Sequence, residues 1–136
     1  MNRRKAREYA LRALFQREFT GNKQETLPDE APSVAPGEKK ETEKFADVLV
    51  QGTVDNLKQI DRVIKEATEH WDMERMAAVD RNILRFAVYE LLYRNDIPSA
   101  VTINEALEIA KKYSSLESVA FINGLLDKIA KDRGKK

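Results

Sequence analysis

Apolar residues recur at helical spacing along most of this 136-residue chain. The clearest case is the segment from Met73 to Arg94, in which an apolar residue returns every three or four positions. The residues of this stripe are Met76, Val79, Ile83, Leu84, Ala87, Val88, Leu91 and Leu92. Such spacing places apolar side chains on one face of an α-helix, and the alternation typical of strands is nearly missing. The sequence therefore predicts an all-α fold.

The two preceding helical segments are bounded by weaker signals. The first helix is predicted from about Arg4 to Phe19, with Gly21 just past its end. The helical pattern resumes at Glu41. It predicts either one long kinked helix or two helices broken near Asn56.

The last two helical segments follow Pro98, which disfavours helix at the residue before it. Thr102 and Glu105 have the spacing of a capping box, as do Ser114 and Glu117. Each pair precedes an apolar run, so we expect a helix to begin at each.

Residues 21–40 interrupt the helical pattern. They contain three of the four prolines and two of the five glycines. A structureless connection of this length is uncommon inside a compact domain. We therefore expect a mobile loop, with only a weak signal for a short helix around Leu27 to Ala31.

The composition excludes several classes of protein. Cysteine is absent, which rules out disulfides and thiol chemistry. Apolar runs do not exceed four residues, whereas a membrane span needs about twenty. We expect a soluble cytoplasmic protein that does not associate with membranes.

The charges are unevenly distributed. The first seventeen residues carry six basic side chains against Glu8 alone, and the last nine carry five against Asp132. Because the formal net charge is only +1, the middle of the chain is acidic. Clustered cations attract polyanions, and basic ends are typical of nucleic-acid binding, although such runs also occur as solvated surface.

Catalysis finds little support in the sequence. It contains no Gly-rich phosphate loop, no HExxH motif and no nucleophile elbow. His70 is the only histidine, and metal sites need several ligands, so we expect it to pack near a helix end. We predict that the protein is not an enzyme and binds no cofactor or metal.

Two charged residues lie on apolar faces. Asp80 precedes Ile83 and Leu84 by helical spacing, so it either pairs with a nearby arginine (Arg12, Arg81 or Arg85) or meets a partner's cation. Arg7 lies on the inward face of the first helix. We expect its head group to reach water or a ligand beyond the helix end.

Phe121 lies about a quarter turn away from the apolar face of the last helix. Glu117, Gly124 and Lys128 share its side. Spacing does not decide whether the ring packs at a helix junction or stays open for a nucleobase to stack on.

Three segments together resemble one known family. They are RRKAREYALRALFQ (3–16), DRNILRFAVYELLYRNDIP (80–98) and VTINEALEIAKKYSSLESVAFINGLLDKIA (101–130). They resemble the NusB family of bacterial transcription antitermination factors, in the family's order. The resemblance implies one compact domain of two small helical lobes, about 1–70 and 71–136. It implies no catalytic activity.

The resemblance also implies partners. These are boxA RNA from ribosomal RNA leaders, the ribosomal protein NusE, and RNA polymerase with other Nus factors. The implied RNA-binding residues are Arg3, Arg4, Lys5, Arg7, Glu117, Ser118 and Phe121. The implied NusE-binding residues are Phe15 and Asp80. In this family a tyrosine is commoner at the position of Phe15 and a glutamate at that of Asp80.

The leading hypothesis is an RNA-binding factor in which the basic first turn and the Phe121 corner converge on one open platform. The main alternative is a helical protein-binding adaptor whose basic ends are solvated tails. A helical domain of an RNA methyltransferase and a DNA-reading helix-turn-helix are weaker alternatives. No cofactor-binding βαβ unit follows the helices, and the link at Pro98 lacks the usual glycine turn.

Overall fold

The computed structural model describes residues 2–18, 34–69 and 72–133. Within these ranges the chain forms six α-helices, one short 3₁₀ helix and no strand, which confirms the all-α prediction. The α-helices are α1 (Arg3–Glu18), α2 (Lys39–Asp55), α3 (Leu57–Ala67), α4 (Ala78–Tyr93), α5 (Ser99–Tyr113) and α6 (Leu116–Asp132). The 3₁₀ helix spans Met73–Arg75.

Helix α4 lies at the centre and packs against each of the other five α-helices. Its predicted apolar stripe is inside, with Ile83, Leu84, Ala87 and Val88 fully buried. All six α-helices contribute to one cluster of buried apolar residues. The division into two lobes stays a prediction.

The break near Asn56 is confirmed, and it separates two helices. The Asn56 side chain donates a hydrogen bond to the Gly52 carbonyl oxygen (2.8 Å). Gly52 is required by close packing, because a Cβ at this position would lie 2.3 Å from the Tyr89 ring. The glycine therefore lets α2 approach α4 just before the break.

Helix α4 begins later than its periodicity predicts. Met73–Arg75 forms a 3₁₀ helix, where the Asp72 side chain accepts a hydrogen bond from the Glu74 backbone N–H (2.9 Å). Regular helix starts only at Ala78. The apolar pattern continued across this turn, so spacing alone did not reveal it.

Neither of the two predicted capping boxes is found in the structure. Helix α5 begins at Ser99, directly after Pro98, and Thr102 lies inside it. The cap of α6 is Ser115, whose hydroxyl oxygen accepts a hydrogen bond from the Ser118 backbone N–H (3.1 Å). The side chains of Thr102 and Ser114 instead donate hydrogen bonds to acids of α4, as described below.

The predicted loop at 21–40 is only partly within the described residues. A turn at 36–38 leads into α2, which begins at Lys39, so the end of the predicted loop is helical. Gly21, the weak helix at 27–31 and His70 lie outside the described residues. No helix in the described part of the chain is long and apolar enough to cross a membrane.

Candidate nucleic-acid interface

The basic side chains of the first turn of α1 divide into two groups. Arg7 points inward and is 2% exposed, and it donates two hydrogen bonds to Glu90 on α4 (2.7 and 2.9 Å). The Thr102 hydroxyl donates a third hydrogen bond to the same carboxylate (2.8 Å). The prediction that the Arg7 head group reaches water or a ligand is therefore wrong. A buried charge needs a counter-charge, and Glu90 supplies it.

Arg3 and Arg4 lie at the surface of the same turn. The Arg4 guanidinium donates two hydrogen bonds to Glu105 (both 2.8 Å) and remains half exposed. These hydrogen bonds raise the pKa of Arg4 and lower that of Glu105. The Arg3 guanidinium lies over the Phe45 ring, 4.5 Å from its centroid. Lys5 is partly buried. We call Arg3, Arg4 and Lys5 the basic turn.

The corner at the start of α6 is more open. Glu117 is exposed, and Ser118 and Phe121 are partly buried. Phe121 lines an open cleft of about 450 Å³ between α6 and the end of α3. Gly124 and Lys128 line the same cleft, and Lys128 donates to the Ala67 carbonyl oxygen (3.1 Å). The ring is therefore not sealed inside the bundle.

The basic turn and the Phe121 corner adjoin opposite ends of α4. Arg7 in the first turn of α1 pairs with Glu90 near the end of α4, whereas Ser118 bonds to Asp80 at its start. Ten residues of α-helix correspond to about 15 Å along the helix axis. The two patches adjoin opposite ends of α4 because α1 runs antiparallel to α4, as the Arg7–Glu90 and Arg81–Glu18 pairs show. The prediction that they form one open platform on which an RNA strand rests stays a prediction.

The two residues predicted to face a protein partner are both largely buried. Phe15 is 5% exposed and belongs to the apolar core. Asp80 is 7% exposed and accepts short hydrogen bonds from the hydroxyls of Ser114 and Ser118 (both 2.6 Å). The alternative that an arginine pairs with Asp80 is wrong, because serine hydroxyls occupy both of its oxygens.

Arg81 and Arg85 have other partners. Both pair with Glu18 at the end of α1, and Arg85 also pairs with Asp61 (2.9 Å). Burial opposes ionisation of Glu18, but hydrogen bonds from Arg81 and Asn82 outweigh it and lower its pKa. These arginines thus join α1, α3 and α4, and do not extend the basic turn.

Sequence reasoning missed a further buried acid. Glu8 accepts hydrogen bonds from Lys112 and from the Tyr113 hydroxyl (both 2.7 Å). Burial and then the hydrogen bond to Glu8 raise the pKa of Tyr113. The signal was available, because Glu8 is the single acid among the first seventeen residues.

The described residues contain no cluster of three or more His, Cys, Asp or Glu side chains that is suited to a metal ion. The fold and these surfaces define an all-α protein with a cationic turn at the start of α1 and an open cleft beside Phe121. Comparison with known proteins then gives its family. The NusB family profile matches residues 4–131, and the chain belongs to the NusB family.

Relatives match over nearly the whole chain. The transcription antitermination protein NusB of Thermodesulfovibrio yellowstonii is 47% identical over 97% of this chain and 93% of its own length. The transcription antitermination protein NusB of Desulfitobacterium hafniense (strain DSM 10664 / DCB-2) is 48% identical over 100% of this chain and 93% of its own length. The predicted family is thus confirmed. So is the prediction that the protein is not an enzyme, because the family consists of non-catalytic factors.

Solved structures show the same fold. T. maritima NusB matches with a TM-score of 0.80 and 39% identity, covering 97% of this chain and 92% of that one. A chain from the crystal structure of antitermination factors NusB and NusE in complex with dsRNA matches with a TM-score of 0.74 and 25% identity, covering 96% of each.

Proposed function

We propose that this protein is a transcription antitermination factor that binds boxA RNA of ribosomal RNA leader transcripts together with NusE. The observation that carries the proposal is the basic turn, where Arg3 and Arg4 present guanidinium groups at the surface. Relatives named as antitermination proteins and a structural neighbour solved with NusE and RNA support it. In this role the protein and NusE together join RNA polymerase and the other Nus factors.

The RNA lies extended in this proposal. The basic turn and the Phe121 corner are separated by roughly 15 Å along α4, so one compact nucleotide cannot touch both. A single strand that crosses the surface touches both patches. Its phosphates lie near Arg3, Arg4 and Lys5, and one base lies against Phe121. Glu117 repels phosphates but accepts hydrogen bonds from base edges, and Ser118 lies beside it. Arg7 contributes by holding the first turn in place.

The test is a titration of boxA RNA against a scrambled RNA, with and without NusE, at several salt concentrations. Contacts to three to five phosphates give a slope of log K against log salt of about −2 to −3.5. A base on Phe121 makes Phe121→Ala cost about 1–3 kcal/mol of binding, whereas Phe121→Tyr keeps the ring and the affinity. A flat salt response and equal binding of both RNAs would favour the adaptor without RNA binding.

The partner surface is proposed around the start of α4. Asp80 is too buried for a broad contact, so its role is to hold Ser114 and Ser118 and thereby the link between α5 and α6. Phe15 lies in the core near the end of α1, and Glu18 at that end pairs with Arg81 near the start of α4. Because Asp80 also holds Ser118 of the Phe121 corner, we expect Asp80→Asn to weaken both NusE binding and RNA binding. Unchanged NusE binding would contradict a partner surface at the start of α4.

A further inference from the structure

A second cleft lies beside the basic turn, and the sequence did not point to it. It measures about 300 Å³ and opens between α2 and the end of α4. Its lining residues are Glu41, Lys44, Phe45, Val48 and Arg94. We call it the α2 cleft. Val48 is 43% exposed, so the cleft floor presents apolar surface to solvent.

Cations surround the floor of the α2 cleft. The guanidinium carbons of Arg3 and Arg94 lie 4.5 and 5.4 Å from the centroid of the Phe45 ring. Guanidinium groups at such distances are attracted by the aromatic quadrupole, which orders them without neutralising their charge. The Phe45 ring thus lies close both to an arginine of the basic turn and to an arginine of the α2 cleft, and the buried Arg7 guanidinium lies 5.7 Å from the same centroid.

Arg94 at the rim of the α2 cleft has a partner within its own turn. It pairs with Asp96 through two hydrogen bonds (2.9 and 2.8 Å), and Asp96 is more than half exposed. The Arg94 side chain is itself 21% exposed, so part of it remains open to solvent beside this pair. Lys44 lies exposed on the same rim and adds a second cation.

We propose that the α2 cleft binds one nucleotide of the RNA strand that crosses the basic turn, which rests on the proposed function. The base lies against Val48 and the edge of Phe45, and its phosphate lies beside Arg94 and Lys44. A cleft with an apolar floor and a few polar groups at its rim suits a flat ring with an anionic substituent. Glu41 at the rim accepts a hydrogen bond from an amino group of the base.

Charge favours RNA over a protein helix as the occupant. Arg3, Arg94 and Lys44 outnumber Glu41 and Asp96 around the opening. The cleft is also continuous with the basic turn through the Phe45 ring. A protein helix needs a longer apolar groove, with anchors along several turns, than this cleft provides.

The first experiment locates the RNA directly. Single-stranded boxA oligonucleotides carrying 4-thiouridine at successive positions are irradiated with the full-length protein and digested with trypsin. Cleavage after Lys44 and Lys58 releases residues 45–58, which contain Phe45 and Val48. We expect one thiouridine position to link to this peptide. Links confined to other peptides would overturn the proposal.

The second experiment measures affinity with a matched control. Lys44→Glu and Lys65→Glu each reverse one exposed helical lysine, so their effects on the net charge are equal. Lys65 lines a different cleft, between α3 and the 3₁₀ helix. We expect Lys44→Glu to weaken boxA binding about fivefold to tenfold more than Lys65→Glu and to make the salt slope shallower by about one. Thermal unfolding of both variants checks that the fold is kept.

The outcomes separate this inference from the function on which it rests. If the unaltered protein prefers boxA RNA but the two lysine variants weaken binding equally, the α2 cleft is refuted and the proposed function stands. If the unaltered protein shows no preference for boxA RNA even with NusE, the proposed function is refuted and the cleft with it.

Discussion

The start of α1 and the start of α4 each bury a charged side chain, and the two sites neutralise it differently. At the start of α1, Arg7 meets a full counter-charge on Glu90. At the start of α4, Asp80 meets only the hydroxyls of Ser114 and Ser118. The first arrangement is almost completely shielded from water, whereas the serines at the second are partly exposed. The comparison shows that a buried charge is stabilised either by an opposite charge or by hydroxyl donors, and that at these two sites the more deeply buried group has the opposite charge.

The largest effect is expected when one charge of the buried Arg7–Glu90 pair is removed, and this change tests the comparison most directly. Arg7→Met leaves Glu90 without its counter-charge, so we expect a loss of about 3–5 kcal/mol in the free energy of unfolding. Urea denaturation followed by circular dichroism measures it. The double variant Arg7→Met with Glu90→Leu removes both charges and should recover most of the loss. A single-variant loss below about 1 kcal/mol would show that Glu90 does not depend on Arg7 for its stabilisation.

A smaller effect is expected at the serine-bonded acid. Asp80→Ala removes two hydrogen-bond acceptors but leaves hydroxyls that can turn toward water, so we expect a loss of about 1–3 kcal/mol. Asp80→Asn keeps one acceptor and should lose less. Denaturation under the conditions used for Arg7→Met allows a direct comparison. If Asp80→Ala costs as much as Arg7→Met, the depth of burial is not what separates the two regions.

The ion-pair network at the other end of α1 should give the smallest effect and a pH dependence. Glu18 is partly exposed, so we expect Glu18→Gln to cost about 1 kcal/mol at neutral pH. The folded protein lowers the pKa of Glu18 below its ordinary value of 4.5. The stabilisation is therefore present above pH 4.5 and is lost as the pH falls through the lowered pKa.

The measurement is the difference in unfolding free energy between the unaltered protein and Glu18→Gln at several pH values. This difference should shrink toward zero as the pH falls through the lowered pKa of Glu18. A difference that stays constant with pH would mean that the charge of Glu18 contributes nothing.

The fold was predictable from the sequence to a large extent. The apolar stripe of α4, the extent of α1 and the break at Asn56 all follow from periodicity within one segment. The capping boxes failed because Thr102 and Ser114 bond to Glu90 and Asp80, which are distant in sequence. Capping motifs compete with such tertiary partners, and no local pattern reports the competition.

The candidate site was predictable only in part. Arg3, Arg4 and Phe121 lie at or near the surface, as a binding role requires. Arg7 was wrongly expected to reach water, because its partner on α4 is 83 positions away in the chain. The α2 cleft was missed for a similar reason, since Phe45, Arg94 and Arg3 come from three separate helices or turns.

The sequence by itself determined the helices, the faces that turn inward and the family. These are properties of spacing within a segment, where 3.6 residues per turn fix which side chains share a face. Only the tertiary structure decided which cations stay at the surface, which acids they meet, and that the two patches adjoin opposite ends of α4. Those outcomes depend on how helices cross and in which direction they run, and spacing within one helix carries no information about its neighbour.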